Sequence, residues 1–280
     1  MIFITGIQGQ LGYDVARVLK ERNMEYIAPT VEELDITNKE AVQKYLYQHR
    51  PNVIIHCAAY TAVDKAEDEI DRCRAINADG TRYIAECAKE LDAKMVYIST
   101  DYVFPGDGDK AYEVDAQTGP LGMYGQTKLD GELAVKELLE KYFIIRISWV
   151  FGENGNNFIK TMLRIGKERD EVNVVSDQIG SPTYTADLAV LIYDMIVTEK
   201  YGVYHATNEG FCSWAELAVE IFKQAGYDTK VNFITTSEYP TRAVRPLNSR
   251  MSKAALDAAG FARLPEWEDA VKRYLVCILV

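Results

Sequence analysis

The chain opens with IFITGIQGQLG, an apolar run broken at once by glycines at positions 6, 9 and 12. A short apolar stretch, a glycine turn and then an amphipathic run from about Leu11 to Arg22 predict a buried strand, a tight turn and a helix. The GxxGxxG spacing is a variant of the GxGxxG fingerprint and shares its physics. Gly6 permits the turn, Gly9 lets backbone approach a pyrophosphate, and Gly12 lets the helix pack against the strand. The helix N-terminus then offers unpaired N–H groups and a positive dipole end to phosphate.

The rest of the first half repeats this rhythm. EYIAP, NVIIHCAA, KMVYIST and YFIIRIS read as further strands, separated by helical stretches that include a long run from Asp71 to Glu90. Asn38 is placed to cap the helix reaching about Gln48. Apolar strands without period-two alternation, alternating with helices, predict a parallel sheet covered on both faces. The fold class is therefore α/β, a Rossmann-type doubly wound sheet. After about Val150 the pattern turns irregular at GENGNN, which predicts a smaller mixed α/β substrate-binding lobe. The expected division is 1–150 plus about 176–200 for the dinucleotide-binding domain, with about 151–175 and 201–280 forming the interleaved lobe.

Composition excludes some classes. A formal net charge of −11 argues against general nucleic-acid or anionic-membrane binding. The five cysteines are widely spaced and form no CxxC, so reduced thiols in a cytoplasmic protein are expected. The sequence runs directly into the first strand, without the pattern of a secretory signal. No apolar run reaches bilayer length. The three histidines, His49, His56 and His205, show no ligand spacing, and no metal site is expected. The acidic segment Asp64 to Asp71 reads as a solvated helix face. The apolar tail YLVCILV reads as a last strand, as a helix end, or as a remnant appended to the natural chain.

MYGQTKLDG places Tyr124 four residues before Lys128, hence on one face of a helix. The strand VYIST delivers Thr100 to the carboxyl end of the sheet, where doubly wound folds bind ligands. A phenol, an ammonium and a hydroxyl gathered beside a nicotinamide make a carbonyl-reducing site. Tyr124 donates a proton to the developing alkoxide. Lys128 lowers the tyrosine pKa and holds the cofactor ribose, and Thr100 orients the carbonyl. After the second strand come Ala28, Pro29, Thr30, Val31 and Glu32, with no basic group for a 2′-phosphate and no acid immediately at the strand end. NADH and NADPH both stay open, with a lean toward NADH. Asp35 reads equally as an adenine contact and as a loop acid. Trp149 follows a strand end and precedes the Gly/Asn loop, which favours a substrate-lining role over plain core.

TGIQGQLG, STDYVFPG, YGQTK and RISWVFG together resemble the extended short-chain dehydrogenases/reductases and, within them, the dTDP-4-dehydrorhamnose reductases. HCAAYTAVDKAE, GNNFIKTML, DQIGSPT and RPLNSRM extend the resemblance along nearly the whole chain. It implies reduction of the C4 keto group of dTDP-6-deoxy-L-lyxo-4-hexulose to dTDP-L-rhamnose, with Thr100, Tyr124 and Lys128 catalytic. It further implies cofactor contacts from Gly6, Gly9, Gln10, Leu11 and Gly12 around the pyrophosphate, and from Asp35, Ile36, Ala58, Ala59 and Tyr60 along the groove. Asp101, Val103, Trp149 and Asn157 are implied to face the sugar nucleotide, with Arg245 and Asn248 on its nucleotide side. Asn77 is implied to hydrogen-bond backbone.

There are departures. Gly122 stands where the family often has an amide. Some relatives hold magnesium at a dimer interface through acids that include a glutamate where Asp14 stands, and the shorter side chain leaves that metal, and the choice of monomer or homodimer, open. Tyr102 occupies the place of the acid that a related dehydratase needs for β-elimination. An epimerase, another nucleotide-sugar reductase and a non-catalytic subunit related to that of methionine adenosyltransferase share the scaffold.

Overall fold

The computed structural model describes residues 1–279. Six strands form one parallel sheet: β1 (Ile2–Thr5), β2 (Tyr26–Ile27), β3 (Val53–His56), β4 (Lys94–Thr100), β5 (Tyr142–Ile147) and β6 (Gly202–His205), in the order β6-β5-β4-β3-β1-β2. The strands look uniformly apolar because both faces are covered. Ile2, Ile4, Val53, Ile55, Val96 and Ile98 pack against Leu11 and Val15 of the helix Gln10–Glu21 and Leu188 and Ile192 of the helix Thr185–Ile196. Phe3, Ile54, Met95, Tyr97 and Ile144 face the opposite layer, meeting Leu46, Ile84 and Val135. Each such side chain contributes roughly 1.5–3 kcal/mol when fully buried.

The chain leaves β1 toward β2 on one side and returns to β3 on the other. That reversal opens a crevice beyond the carboxyl ends of β1 and β3.

The expected run from Asp71 to Glu90 is not one regular helix. Ile70–Arg74 leads into a π-helical turn, Ala75–Asp79, before Gly80–Glu90 resumes the α-helix. A π-turn inside a helix commonly marks a functional region. Here it carries Asn77, whose amide accepts from the backbone N–H of Tyr60 at 2.8 Å and donates to the Thr127 hydroxyl at 3.1 Å.

The small lobe packs the helices Phe158–Glu168, Trp214–Ala225 and Trp267–Leu279 around Ile159, Met162, Ile221, Phe222 and Tyr274. Glu171–Val175 and Lys230–Ile234 add a parallel two-stranded pair. Ser213 and Glu216 form a capping box at one end of Trp214–Ala225, and Gly226 terminates it at φ 71°.

One boundary differs from expectation. Residues 202–205, assigned above to the small lobe, form the edge strand of the main sheet, and Leu256, Phe261 and Leu264 join its core. Four residues, GVYH, are too few to show a period. The tail is helical: Trp267–Leu279 buries Tyr274 and Leu275 and exposes Val276 and Leu279, while Val280 lies outside the described residues. Among the described residues no helix is long and apolar enough to cross a membrane.

Candidate active site

The crevice is a cleft of about 1050 Å³. It runs from the glycine turn past the end of β2 and the Cys57–Ala59 loop to Thr100, Tyr124, Lys128 and Trp149. The turn is so close-packed that side chains are excluded. A Cβ on Gly12 would lie 2.2 Å from the Gly6 carbonyl oxygen, and one on Gly6 would lie 2.7 Å from the Ala58 nitrogen, at a φ of +72°. The helix that follows has no side-chain cap and no acid in its first turn, so its N–H groups and positive end face the cleft uncompensated. These features fit a bound dinucleotide pyrophosphate.

The opposite wall is the helix Met123–Leu138, pressed onto the end of β4. A Cβ on Gly125 would meet the Tyr102 carbonyl oxygen at 2.2 Å, and one on Gly131 would meet the Tyr97 hydroxyl at 2.2 Å. The glycines around the Tyr-Lys pair therefore set how closely the pair approaches the sheet. Tyr124 stands edge-on to Tyr102, centroids 5.4 Å apart. Thr100 ends β4; its hydroxyl donates to an Asp101 carboxylate oxygen at 3.0 Å and accepts from the Tyr102 N–H.

Burial dominates the electrostatics. It raises the Tyr124 phenol above its ordinary value, and the Thr100 hydroxyl acts in the opposite direction. Within the free protein the Thr100 hydroxyl is the neighbour that acidifies the phenol. Lys128 lies 4.1 Å from the centre of the Tyr97 ring, and burial lowers its pKa to about 7 against the attraction of Glu132 one turn on. Burial raises Asp101 to about 6, opposed by hydrogen bonds from Ser249 and Thr100.

Lys128 thus prefers to be neutral in the folded chain and charged in the unfolded one. This costs stability fully below pH 7, and the cost disappears as pH rises from about 7 toward the ordinary lysine value of 10.5. Lys128→Met should raise the melting temperature of the free protein at pH 6 by about 2 °C or more. Its advantage over wild type should shrink by pH 9; thermal scans at both pH values that show no gain would contradict this account.

A family model described as the RmlD substrate binding domain matches residues 1–279. The chain belongs to the RmlD substrate binding domain family. A dTDP-4-dehydrorhamnose reductase of Aggregatibacter actinomycetemcomitans is 42% identical over 284 residues, spanning 97% of each chain. The crystal structure of a Clostridium acetobutylicum dTDP-4-dehydrorhamnose reductase matches with a TM-score of 0.98 at 44% identity, covering 100% of this chain and 99% of that one. That of the Bacillus anthracis dTDP-4-dehydrorhamnose reductase in complex with NADP matches at 0.96 and 46% identity, covering 98% of each.

Of the positions that the resemblance to RmlD relatives pointed to, Gly6, Gly9, Gln10, Leu11, Gly12, Asp35, Ile36, Ala58, Ala59, Thr100, Asp101, Tyr124, Lys128 and Trp149 line the cleft. The other five do not line it. Tyr60 packs on Ala66 and Cys73. Val103 is buried with Phe104 and Met251. Asn157 caps the helix Phe158–Glu168 through Lys160 N–H at 3.0 Å and donates to Gln10 and the Tyr274 hydroxyl. Asn248 donates to the carbonyls of Asp107 and Lys110. Arg245 is held by both carboxylate oxygens of Asp64.

The acidic segment is largely solvent-exposed, as expected, and two of its acids also form surface ion pairs, Asp64 with Arg245 and Asp68 with Arg242. Asp14 is buried; its carboxylate accepts from Arg17 at 2.9 Å and from the Thr185 hydroxyl.

Among the cleft residues that sequence reasoning did not assign to the site are Tyr102 and Trp214. Trp214 stacks on Trp149 at 3.9 Å and 18°, and Phe158 flanks it at 4.7 Å. Trp149 holds a left-handed φ of 49°, a conformation that costs energy in a bulky residue and that clusters at functional sites. The aromatic stack therefore joins the sheet domain to the small lobe in the wall of the cleft.

Proposed function

We propose that the protein reduces the C4 keto group of dTDP-6-deoxy-L-lyxo-4-hexulose to give dTDP-L-rhamnose. The observation that carries this reading is that Thr100, Tyr124 and Lys128 stand on the wall of a single cleft that begins at the glycine turn. A nicotinamide dinucleotide supplies the hydride when bound. Tyr124 gives its phenolic proton to the alkoxide oxygen, and its raised pKa keeps that proton in place at neutral pH. Thr100 offers a hydroxyl to the same oxygen, and Lys128 offers donors to ribose hydroxyls. Trp149 and Trp214 form the sugar-side wall and exclude water from the reacting atoms. Pro29, Thr30 and Val31 line the cleft at the end of β2 and place no cation there, which favours NADH over NADPH. The reduced cysteines suit a cytoplasmic enzyme.

The test is loss of reduced-cofactor absorbance that depends on the dTDP-4-keto sugar, with NADH and NADPH compared. One oxidised cofactor released per sugar consumed supports reduction; sugar interconversion without net oxidation means epimerisation. Trp149→Ala should raise the KM for the sugar nucleotide about three- to tenfold, the worth of one aromatic contact, and leave cofactor Kd unchanged. A titration showing the cofactor more affected would overturn the placement of Trp149.

A further inference from the structure

The helix that carries Tyr124 starts without a cap of its own. Gly122 is its N-cap residue, in extended backbone at φ −152°, and has no side chain to accept a first-turn N–H. The acceptor comes from far along the chain: a Glu67 carboxylate oxygen takes the N–H of Met123 at 2.8 Å, across 56 positions of sequence. A Cβ on Gly122 would lie 2.5 Å from that same oxygen, so the glycine leaves the space that the carboxylate fills. A carboxylate there also complements the positive end of the helix.

The segment that bears Glu67 is itself anchored. Ala66 is buried with Tyr60 and Cys73, against which Met123 and Tyr124 pack. On either side of it, Asp64 accepts from Arg245 at 2.7 Å and from the Ala243 N–H at 3.0 Å, and Asp68 accepts from Arg242 at 2.8 Å.

We infer that Glu67 is a positioning residue: by capping the first turn of the helix Met123–Leu138 from a distant segment, it fixes the Tyr124 phenol beside Thr100. Tyr124 is the second residue of that helix, so fraying of the first turn moves the phenol directly. This inference rests on the reading of Tyr124 as proton donor.

The test uses the full-length protein and four variants. Glu67→Ala should speed amide hydrogen exchange at Met123 and Tyr124 about tenfold, as expected for loss of one cap. It should lower kcat with NADH and the dTDP-4-keto sugar about 10- to 100-fold, the cost of a small misplacement of a catalytic group, with cofactor Kd unchanged. Glu67→Gln keeps an acceptor oxygen and should recover most of both. Gly122→Ser supplies a local hydroxyl cap but puts a Cβ where the Glu67 carboxylate sits, so alone it displaces that cap and substitutes its own; in the Glu67→Ala background, where the space is free, it should restore turnover, which a general packing defect would not permit. Unchanged exchange in Glu67→Ala overturns the cap, and faster exchange with unchanged kcat overturns the positioning role. If wild type turns over no keto sugar, the functional reading fails, and the exchange data still decide the cap.

Discussion

Tyr124→Phe should bind the nicotinamide cofactor as wild type does and lose about 10²–10⁴ in kcat, the usual worth of a positioned general acid. The substitution removes one oxygen and leaves the ring. That ring packs edge-on against Tyr102 and beside Met123 and Cys73, contacts that phenylalanine retains. The helix backbone, its glycine contacts at 125 and 131, and Lys128 one turn on are undisturbed. The loss should appear in kcat and kcat/KM together, because the proton transfer is made only in the transition state. Steady-state rates combined with cofactor fluorescence titration check this; a kcat near wild type would remove Tyr124 from the chemistry. Burial makes the phenol a poor acid in the free protein, so it is protonated throughout the neutral range, the state a donor requires.

What the sequence made legible follows from the range of the interactions concerned. The glycine turn could be read because its requirement is local: a positive φ at Gly6 and the close approach of Gly12 to Gly6 involve residues six apart. The doubly covered sheet could be read because Ile2 and Ile4 face one layer and Phe3 the other, leaving no polar face to interrupt the run. Tyr124 and Lys128 were legible through helical spacing, and Thr100 through its place at a strand end.

Long-range partners were not legible. Asn157 and Asn248 look like ligand-binding amides in one dimension, yet each is consumed by backbone and side-chain partners that only the fold brings near. The acids from Asp64 to Asp68 stay largely exposed, but their partners Arg242, Ala243 and Arg245 lie 174 to 181 positions further along the chain and could not be read from the segment itself. Trp214 enters the cleft only because the small lobe folds back onto Trp149. A buried charge pair behind the active site, Glu132 with Arg146, gave no sequence signal either, since an acid in a helix and an arginine in a strand usually mean exposed positions.

Glu132→Leu should destabilise the protein by about 3–5 kcal/mol, the measured range for stranding one member of a buried ion pair. Glu132 and Arg146 are both essentially inaccessible to solvent. The carboxylate accepts from Arg146 Nε at 2.8 Å, from Arg146 Nη2 at 2.7 Å and from the Ser99 hydroxyl at 2.6 Å. The remaining guanidinium edge donates to the Val114 carbonyl at 3.0 Å, with the Phe104 ring 4.9 Å away. Burial alone would raise the Glu132 pKa; the hydrogen bonds and charge of Arg146 outweigh it and hold the carboxyl below the ordinary range. Its contribution to stability is therefore present above the ordinary carboxylate range and is lost as pH falls through the depressed value.

Removing the carboxylate leaves a guanidinium in the core that cannot shed its charge, whereas Arg146→Leu leaves a carboxylate that protonates and escapes part of the penalty. The arginine variant should accordingly suffer less, and the double variant Glu132→Leu/Arg146→Leu should lose less than the two single losses added, because no charge is then stranded. Urea midpoints for the three variants test the scheme. Strict additivity, or a loss below about 1 kcal/mol in Glu132→Leu, would show that water or a relaxed arginine rotamer already solvates the pair. The same substitution removes the group that most strongly favours the charged form of Lys128, so the amine should become still easier to deprotonate. Cofactor affinity in Glu132→Leu should then weaken at a lower pH than in wild type, a shift that simple loss of stability would not produce.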